Sequence, residues 1–146
     1  MHISNRGIAL IKKYEGFSDT WYFCEGKKTT IGYGHVKKSS DKFVAPISMT
    51  LAEKLLKSDI EKAENSLNNV VTIQLSQGQF DALVSLIFNW GIDNFKKSKG
   101  LSLLNQGYFS EAANEFFSKE KGVVNINGKF SKGLYNRRQA ELNLYS

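Results

Sequence analysis

A single cysteine, a single proline and no long apolar run mark this 146-residue chain. One cysteine, Cys24, excludes an intramolecular disulfide, so packing alone must hold the fold. No stretch approaches the ~20 apolar residues that a membrane-spanning helix needs, so no stable membrane insertion is expected. The first residues, Met1 to Gly7, lack the basic segment and apolar run of a secretory signal, and synthesis in a cytoplasm is expected from that. Two histidines and one cysteine do not make a spaced metal-ligand set. Gly32-x-Gly34 is too short for a dinucleotide loop, and no Gly-Lys-Ser/Thr follows it. Neither a metal nor a cofactor is expected.

What is present is ordinary for a globular protein: 41% hydrophobic and 23% charged residues, on a length that suits one domain. The formal net charge is +6. Between Lys96 and Arg138 nine Lys and Arg face three Glu, an excess equal to the charge of the whole chain. Such a segment attracts a polyanion, whether cell wall, anionic lipid or nucleic acid. Arg137 and Arg138 beside Glu141 equally suit an intramolecular ion pair.

The apolar pattern locates the elements. Ser4 or Asn5 caps a first helix carrying Ile8, Ile11 and Tyr14, and Gly16 ends it, leaving Glu15 at its C-terminal end. Residues 17–36 are rich in Trp, Tyr, Phe, Thr and Ile, punctuated by Gly26, Gly32 and Gly34, and predict a small antiparallel sheet of hairpins. Thr50 to Glu53 has the pattern of a capping box, opening a helix to about Asn68. Ser76 to Gln79 has the same pattern, followed by Phe80, Leu83, Val84, Ile87 and Phe88 at helical spacing. Phe109, Ala112, Ala113, Phe116 and Phe117 repeat that spacing, and a last helix should cover about Leu134 to Tyr145. Strands near the N-terminus and only helices after about residue 50 argue for an α+β fold. The expected arrangement is an N-terminal lobe over about 1–50 and a helical lobe over 69–146. The helix at about 50–68 joins them, and a cleft lies between.

Glu15 is the first candidate for chemistry. Among Tyr14, Phe17 and other aromatics, partial desolvation would favour its neutral acid form, and a protonated carboxyl near neutral pH serves as a general acid. A surface glutamate at a helix end is the plain alternative. The spacing around it sharpens the choice. Cys24 lies nine positions after Glu15, and Thr30 six positions after Cys24, where it opens Thr30-Ile31-Gly32-Tyr33-Gly34-His35.

This pattern resembles the phage-type lysozyme family, glycoside hydrolase family 24, which carries a Glu, eight residues, an Asp or Cys, five residues and a Thr. The resemblance extends to Gln79-Phe80-Asp81-Ala82-Leu83-Val84, Phe88-Asn89-Trp90-Gly91, Leu104-Asn105-Gln106-Gly107 and the stretch from Gly133 to Glu141. One departure is Ser118-Lys119-Glu120, where many members carry a Trp. The resemblance implies a lysozyme-like two-lobed fold and a muramidase that cleaves the β-1,4 bond between N-acetylmuramic acid and N-acetylglucosamine. It implies Glu15, Cys24 and Thr30 as catalytic residues, and Gly32, Tyr33, His35, Asn89 and Asn105 as substrate-binding residues. Peptidoglycan would be the partner, with no nucleic acid, and the protein a monomer made in the host cytoplasm to act on the wall in the periplasm or outside the cell.

Family members are described as inverting, a mechanism that sets the two groups flanking the bond roughly 6.5–9.5 Å apart to admit a water. Glu15 would then protonate the glycosidic oxygen. Cys24 is open to three readings: a base, although a thiol with an ordinary pKa of about 8.5 is mostly protonated at neutral pH; a nucleophile; or a space-filling residue beside a Thr30 that alone places the water. His35 is either a second acid–base group or a structural histidine locking the hairpin. A non-catalytic basic module that binds cell wall or nucleic acid is the competing function. It explains the charge but leaves the spacing of Glu15, Cys24 and Thr30 unexplained.

Overall fold

The computed structural model describes residues 1–23 and 28–146. Cys24 and its neighbours to Lys27, including Gly26 of the expected hairpin, lie outside the described residues.

The first helix, α1, spans Asn5–Glu15 with Ser4 at its N-cap. Its start is docked by buried acids. The Ile3 N–H donates to Glu64 at 2.6 Å, and Asp81 accepts from the Ser4 N–H at 2.9 Å and from the Ser4 hydroxyl. Gly16 ends the helix at φ 69°, ψ 170°, a conformation open almost only to glycine, while its N–H still bonds Lys12 O. Glu15 is therefore held at the last helical position from both directions.

Three antiparallel strands follow: β1 (Ser18–Phe23), β2 (Thr29–Gly32) and β3 (His35–Val36), in the order β1-β2-β3. Thr30 sits on the central strand, opposite Tyr22 and Val36. Ile31 opposes His35, and Tyr33 and Gly34 form the turn between the two strands.

The long helix α2 (Met49–Val70) opens at Ser48, whose hydroxyl accepts from the Leu51 N–H. The cap is thus Ser48 and not the expected box at Thr50. The helix begins one residue before Thr50, where a backbone N–H is already inside the first turn. Its N-terminal part packs on the sheet: Ala52 joins Ile31 and Ile47 in a small apolar cluster with Leu51, Leu55, Trp21 and Phe43 around it. Further along, Leu56, Ile60, Ala63 and Leu67 join the main core. One helix therefore serves two apolar clusters.

At the centre of the main core lies α3 (Gln77–Trp90), buried on every side from Phe80 to Ile87. Its capping box is formed as expected, with the Ser76 hydroxyl and the Gln79 side chain each satisfying a backbone N–H. Around it pack α1, α2, α4 (Ile92–Lys96) and α7 (Lys132–Tyr145), while α5 (Lys99–Asn105) pairs with α6 (Phe109–Phe117). α7 starts slightly earlier than expected, because Ser131 caps it.

The short helices α4 and α5, within residues 92–105, agree with the helical reading of everything after residue 50, although the apolar pattern did not mark them one by one. One feature departs from it. A second hairpin, β4 (Asn125–Ile126) with β5 (Lys129–Phe130), precedes α7. Its turn is Asn127-Gly128, with φ of 52° and 78°. Asn-Gly tolerates two positive φ angles in succession and is a strong two-residue hairpin signal, visible in the sequence once sought.

Candidate active site

Glu15 ends α1 facing the loop between β2 and β3. Gly34 lies directly against it: a Cβ at position 34 would overlap Glu15 Oε1, and the backbone there has φ +78°. Only glycine meets both demands, so the glycine-rich loop is the wall on which the carboxyl rests.

The other carboxylate oxygen is held by a residue 122 positions away. Arg137 Nη1 on α7 donates to Glu15 Oε2 at 2.6 Å. Arg137 is itself buried, with 4% of its side chain exposed, and it is fixed from behind. Its Nη2 donates to the Ser85 carbonyl and hydroxyl oxygens at 3.3 Å, and its Nε lies 3.4 Å from Glu141 Oε2, one turn along α7. Glu141 is fully buried and accepts from the Ser85 hydroxyl at 2.5 Å. Arg138 completes the network: Nη2 donates to Glu141 Oε2 at 3.2 Å and to Asn89 Oδ1 at 2.9 Å. Arg138 Nε is 2.7 Å from Glu141 Oε1, an ion-pair contact without hydrogen-bond alignment. Burial pushes the Arg138 guanidinium below its ordinary value, against the pull of Glu141. Two guanidinium groups thus share one buried carboxylate, and the second carboxylate within their reach is Glu15.

The remaining sequence-derived positions divide by what their polar atoms touch. Thr30 is buried on β2 and its hydroxyl donates to Lys28 O at 3.0 Å, leaving the oxygen lone pairs free to accept. Tyr33 lies half-buried in the same loop as Gly34; its hydroxyl donates to Met49 Sδ at 3.0 Å, its ring meets Phe17 at 5.4 Å, and Lys12 Nζ stands 5.3 Å from its centroid. Gly32 is buried, with Ala52 and Ile47 at van der Waals distance from where a side chain would begin. His35 is buried with both ring nitrogens engaged, Nδ1 at 2.7 Å from Asp59 and Nε2 at 3.0 Å from Asp41. Partial burial raises Asp41, but the Lys38 N–H and the His35 ring outweigh it and hold the Asp41 carboxyl below its usual range. Asn89 holds Arg138, as above. Asn105 accepts from the Thr72 N–H at 2.9 Å and donates to Val70 O at 3.0 Å, tying α5 to the α2–α3 connection.

The structure therefore brings together Glu15, Gly34 and Arg137, with Ser85 and Glu141 behind. Arg137 as a partner of Glu15 was not legible. The sequence offered Arg137 and Arg138 only as neighbours of Glu141, and that local pair is real as well. The excess of basic residues over 96–138 is also partly spent internally, since Lys99 and Lys121 each approach Glu115 at 3.8 Å.

A groove of about 240 Å³ runs beside this centre, lined by Gly34 from the loop, Asp59 and Lys62 from α2, Phe88 from α3 and Ile92 from α4. No helix among the described residues is long and apolar enough to cross a membrane. Among those residues no three His, Asp or Glu side chains gather as a metal site.

A carboxyl group at a helix end, backed by a loop too tight for any side chain and fixed by a buried cation, beside a groove, is suited to exchanging a proton with a bound molecule. Residues 12–141 match the phage lysozyme family. The chain is 40% identical to the endolysin of Acyrthosiphon pisum secondary endosymbiont phage 1, over 99% of this chain and 98% of that protein. It is 36% identical to the endolysin of Salmonella phage P22, again over 99% and 98%. Against the endolysin of Bacillus phage B103 it is 41% identical but spans only 54% of that protein. Among solved structures, the muramidase domain of SpmX from Asticaccaulis excentricus superposes with a TM-score of 0.81 at 34% identity, over 99% and 98% of the two chains. The chain belongs to the phage lysozyme family, whose members are glycoside hydrolases.

Proposed function

We infer that the protein is a muramidase that hydrolyses bacterial peptidoglycan, with Glu15 as the acid that protonates the glycosidic oxygen. The observation that carries the assignment to Glu15 is its place: one oxygen fixed by Arg137, the other against Gly34, a residue that lines the groove. The bond broken is the β-1,4 link between N-acetylmuramic acid and N-acetylglucosamine. Protonation of the bridging oxygen lets the leaving sugar depart neutral while water attacks the anomeric carbon from the opposite face. Thr30, with a free lone pair on a buried hydroxyl, and Cys24 are the residues to hold that water, their order in the chain being that of the family pattern.

Tyr33 is the substrate-binding candidate with an accessible ring in the loop beside Glu15. Gly32, His35, Asn89 and Asn105 serve the same site by shape: Gly32 lets the loop lie on α2, His35 ties the loop to Asp41 and Asp59, Asn89 holds Arg138, and Asn105 fixes α5. The two-lobed division at about residues 50 and 69, with the connecting helix between, belongs to this reading. Two separate apolar clusters joined by α2 support it. The enzyme acts as a monomer on the wall after synthesis in the host cytoplasm.

Glu15→Gln tests the assignment, since it keeps size and polarity and removes the proton donor. The expected loss is at least ~10²-fold in the rate of clearing permeabilised cells, with the fold intact. Near-parental clearing would refute it. Mass spectrometry of the digested wall should find reducing ends on muramic acid; a 1,6-anhydro product would mean a lytic transglycosylase instead.

A further inference from the structure

The groove beside Gly34 carries two lysines that the reaction does not use. Lys62 lies on its α2 side, and Lys38 follows β3 on the other. Lys38 lines a second groove as well, of about 450 Å³, which runs over the outer edge of the sheet past Lys28, Thr29 and Lys37. The two grooves thus share Lys38, and lysines line both, from the sheet edge to the loop at Gly34 that backs Glu15.

The surrounding acids, Asp59 in the same groove and Asp41 beside it, offset these lysines only in part. Asp59 reaches Lys38 only at 3.8 Å and is bound to the His35 ring at 2.7 Å. Asp41 is bound to the other nitrogen of the same ring. Among the described residues no carboxylate lies within ion-pair distance of Lys28 or Lys37, and Lys37 stands 5.5 Å from the ring centroid of Trp21. Lys38 and Lys62 line one and the same groove. Lys38 and partial burial hold Lys62 below the ordinary lysine range, against the pull of Asp59 and Asp41. Two like charges in one groove repel, and a bound anion there turns that repulsion into attraction.

Peptidoglycan supplies such an anion at every muramic acid, because the stem peptide attached there bears free carboxylates. A glycan laid in the groove with its scissile bond at Glu15 presents stems at the groove's rim. We propose that Lys38 and Lys62 form a subsite for stem-peptide carboxylates, through which the enzyme prefers strands whose stems are ionised. The subsite rests on the muramidase reading above and adds a determinant of substrate choice to it.

The test compares glycan strands stripped of teichoic acid, bearing stems with free carboxylates, against the same strands with those carboxylates converted to amides. kcat/KM is read from new reducing ends. The parent enzyme should favour the carboxylate strands by roughly tenfold, the scale of one hydrogen bond to a charged group. Lys38→Gln/Lys62→Gln should lose that factor on carboxylate strands and nothing on amidated ones. Lys54→Gln/Lys57→Gln removes the same charge from exposed positions lining neither groove, and should change nothing. Equal losses on both substrates, no loss on either, or the same loss in the Lys54/Lys57 variant would overturn the subsite. So would a lysine dependence seen only on walls that retain teichoic acid, which would assign the lysines to phosphate. If the parent cleaves both strands and the variants match it, the subsite alone falls. A parent that cleaves neither strand overturns the muramidase reading, and the subsite with it.

Discussion

Arg137 Nη1 sits 2.6 Å from Glu15 Oε2, a contact between the last residue of the first helix and the second turn of the last. Because Arg137 is itself gripped by Ser85 and Glu141, the contact fixes the direction of the carboxyl as well as its charge environment. Arg137→Met keeps an apolar stem and removes the grip. We expect kcat to fall by roughly 10–10²-fold, the penalty of a misaimed catalytic group, with KM changed much less. Arg137→Lys should recover part of kcat, since it restores the charge without the bidentate fork. A parallel rise in KM with unchanged kcat would remove Arg137 from the positioning of Glu15.

Gly34 and Gly16 both have positive φ, but only Gly34 touches the carboxyl. Alanine at either site costs about 1–2 kcal/mol of stability through the strained backbone. Gly34→Ala should also displace Glu15 and reduce lysis far beyond its effect on melting temperature. Gly16→Ala, with open space around it, should lose stability and keep most of its specific activity at low temperature. Equal activity losses in the two variants would show that Gly34 matters only for its backbone.

Glu141 is the one buried carboxylate shared by Arg137 and Arg138. Glu141→Leu leaves two buried guanidinium groups short of a partner and should destabilise the protein by ~3–5 kcal/mol in urea unfolding. Adding Arg138→Met should recover much of that loss, because the unpaired charge goes with it. Strict additivity of the two substitutions would contradict the shared-charge account.

Burial pushes the Tyr145 hydroxyl up to about 12, while it donates to Phe109 O at 2.8 Å. An unfolded tyrosine ionises near pH 10. The unfolded chain therefore sheds this proton first, so the contribution is complete below pH 10 and is lost as pH rises to 12. Tyr145→Phe should cost about 1 kcal/mol at pH 7 through the lost hydrogen bond, yet flatten the decline above pH 10. Parallel urea midpoints for parent and variant from pH 8 to 11 would disprove the linkage.

Cys24 is decided by chemistry at the family's Asp-or-Cys position. Cys24→Asp supplies a carboxylate with an ordinary pKa of about 3.9 and should keep activity while extending it to lower pH. Cys24→Ala should lose most activity if the thiol acts on the water. Activity close to the parent at every pH in the alanine variant would leave Thr30 alone with that role.

Local signals were legible wherever a residue type has one dominant backbone use. Gly16 ended α1 after Glu15, Ser76 and Gln79 opened α3, and Asn127-Gly128 stood ready to mark the hairpin that the helical pattern concealed. Ser48 displaced Thr50 as the cap of α2 because several hydroxyls compete near a helix start, and tertiary packing selects among them. The helices α4 and α5 are too short to show a period.

The sequence by itself determined the family pattern, the strand-rich segment, the position of Glu15 at a helix end and the glycine that ends that helix. These depend on spacing and on intrinsic backbone preference, which travel with the chain. Only the tertiary structure decided what each polar group holds: Arg137 for Glu15, Glu141 for both arginines, Asp41 and Asp59 for His35, Lys38 beside Lys62. A charge seeks whichever opposite charge the packing brings near. When that partner lies 122 residues away, no local preference encodes it.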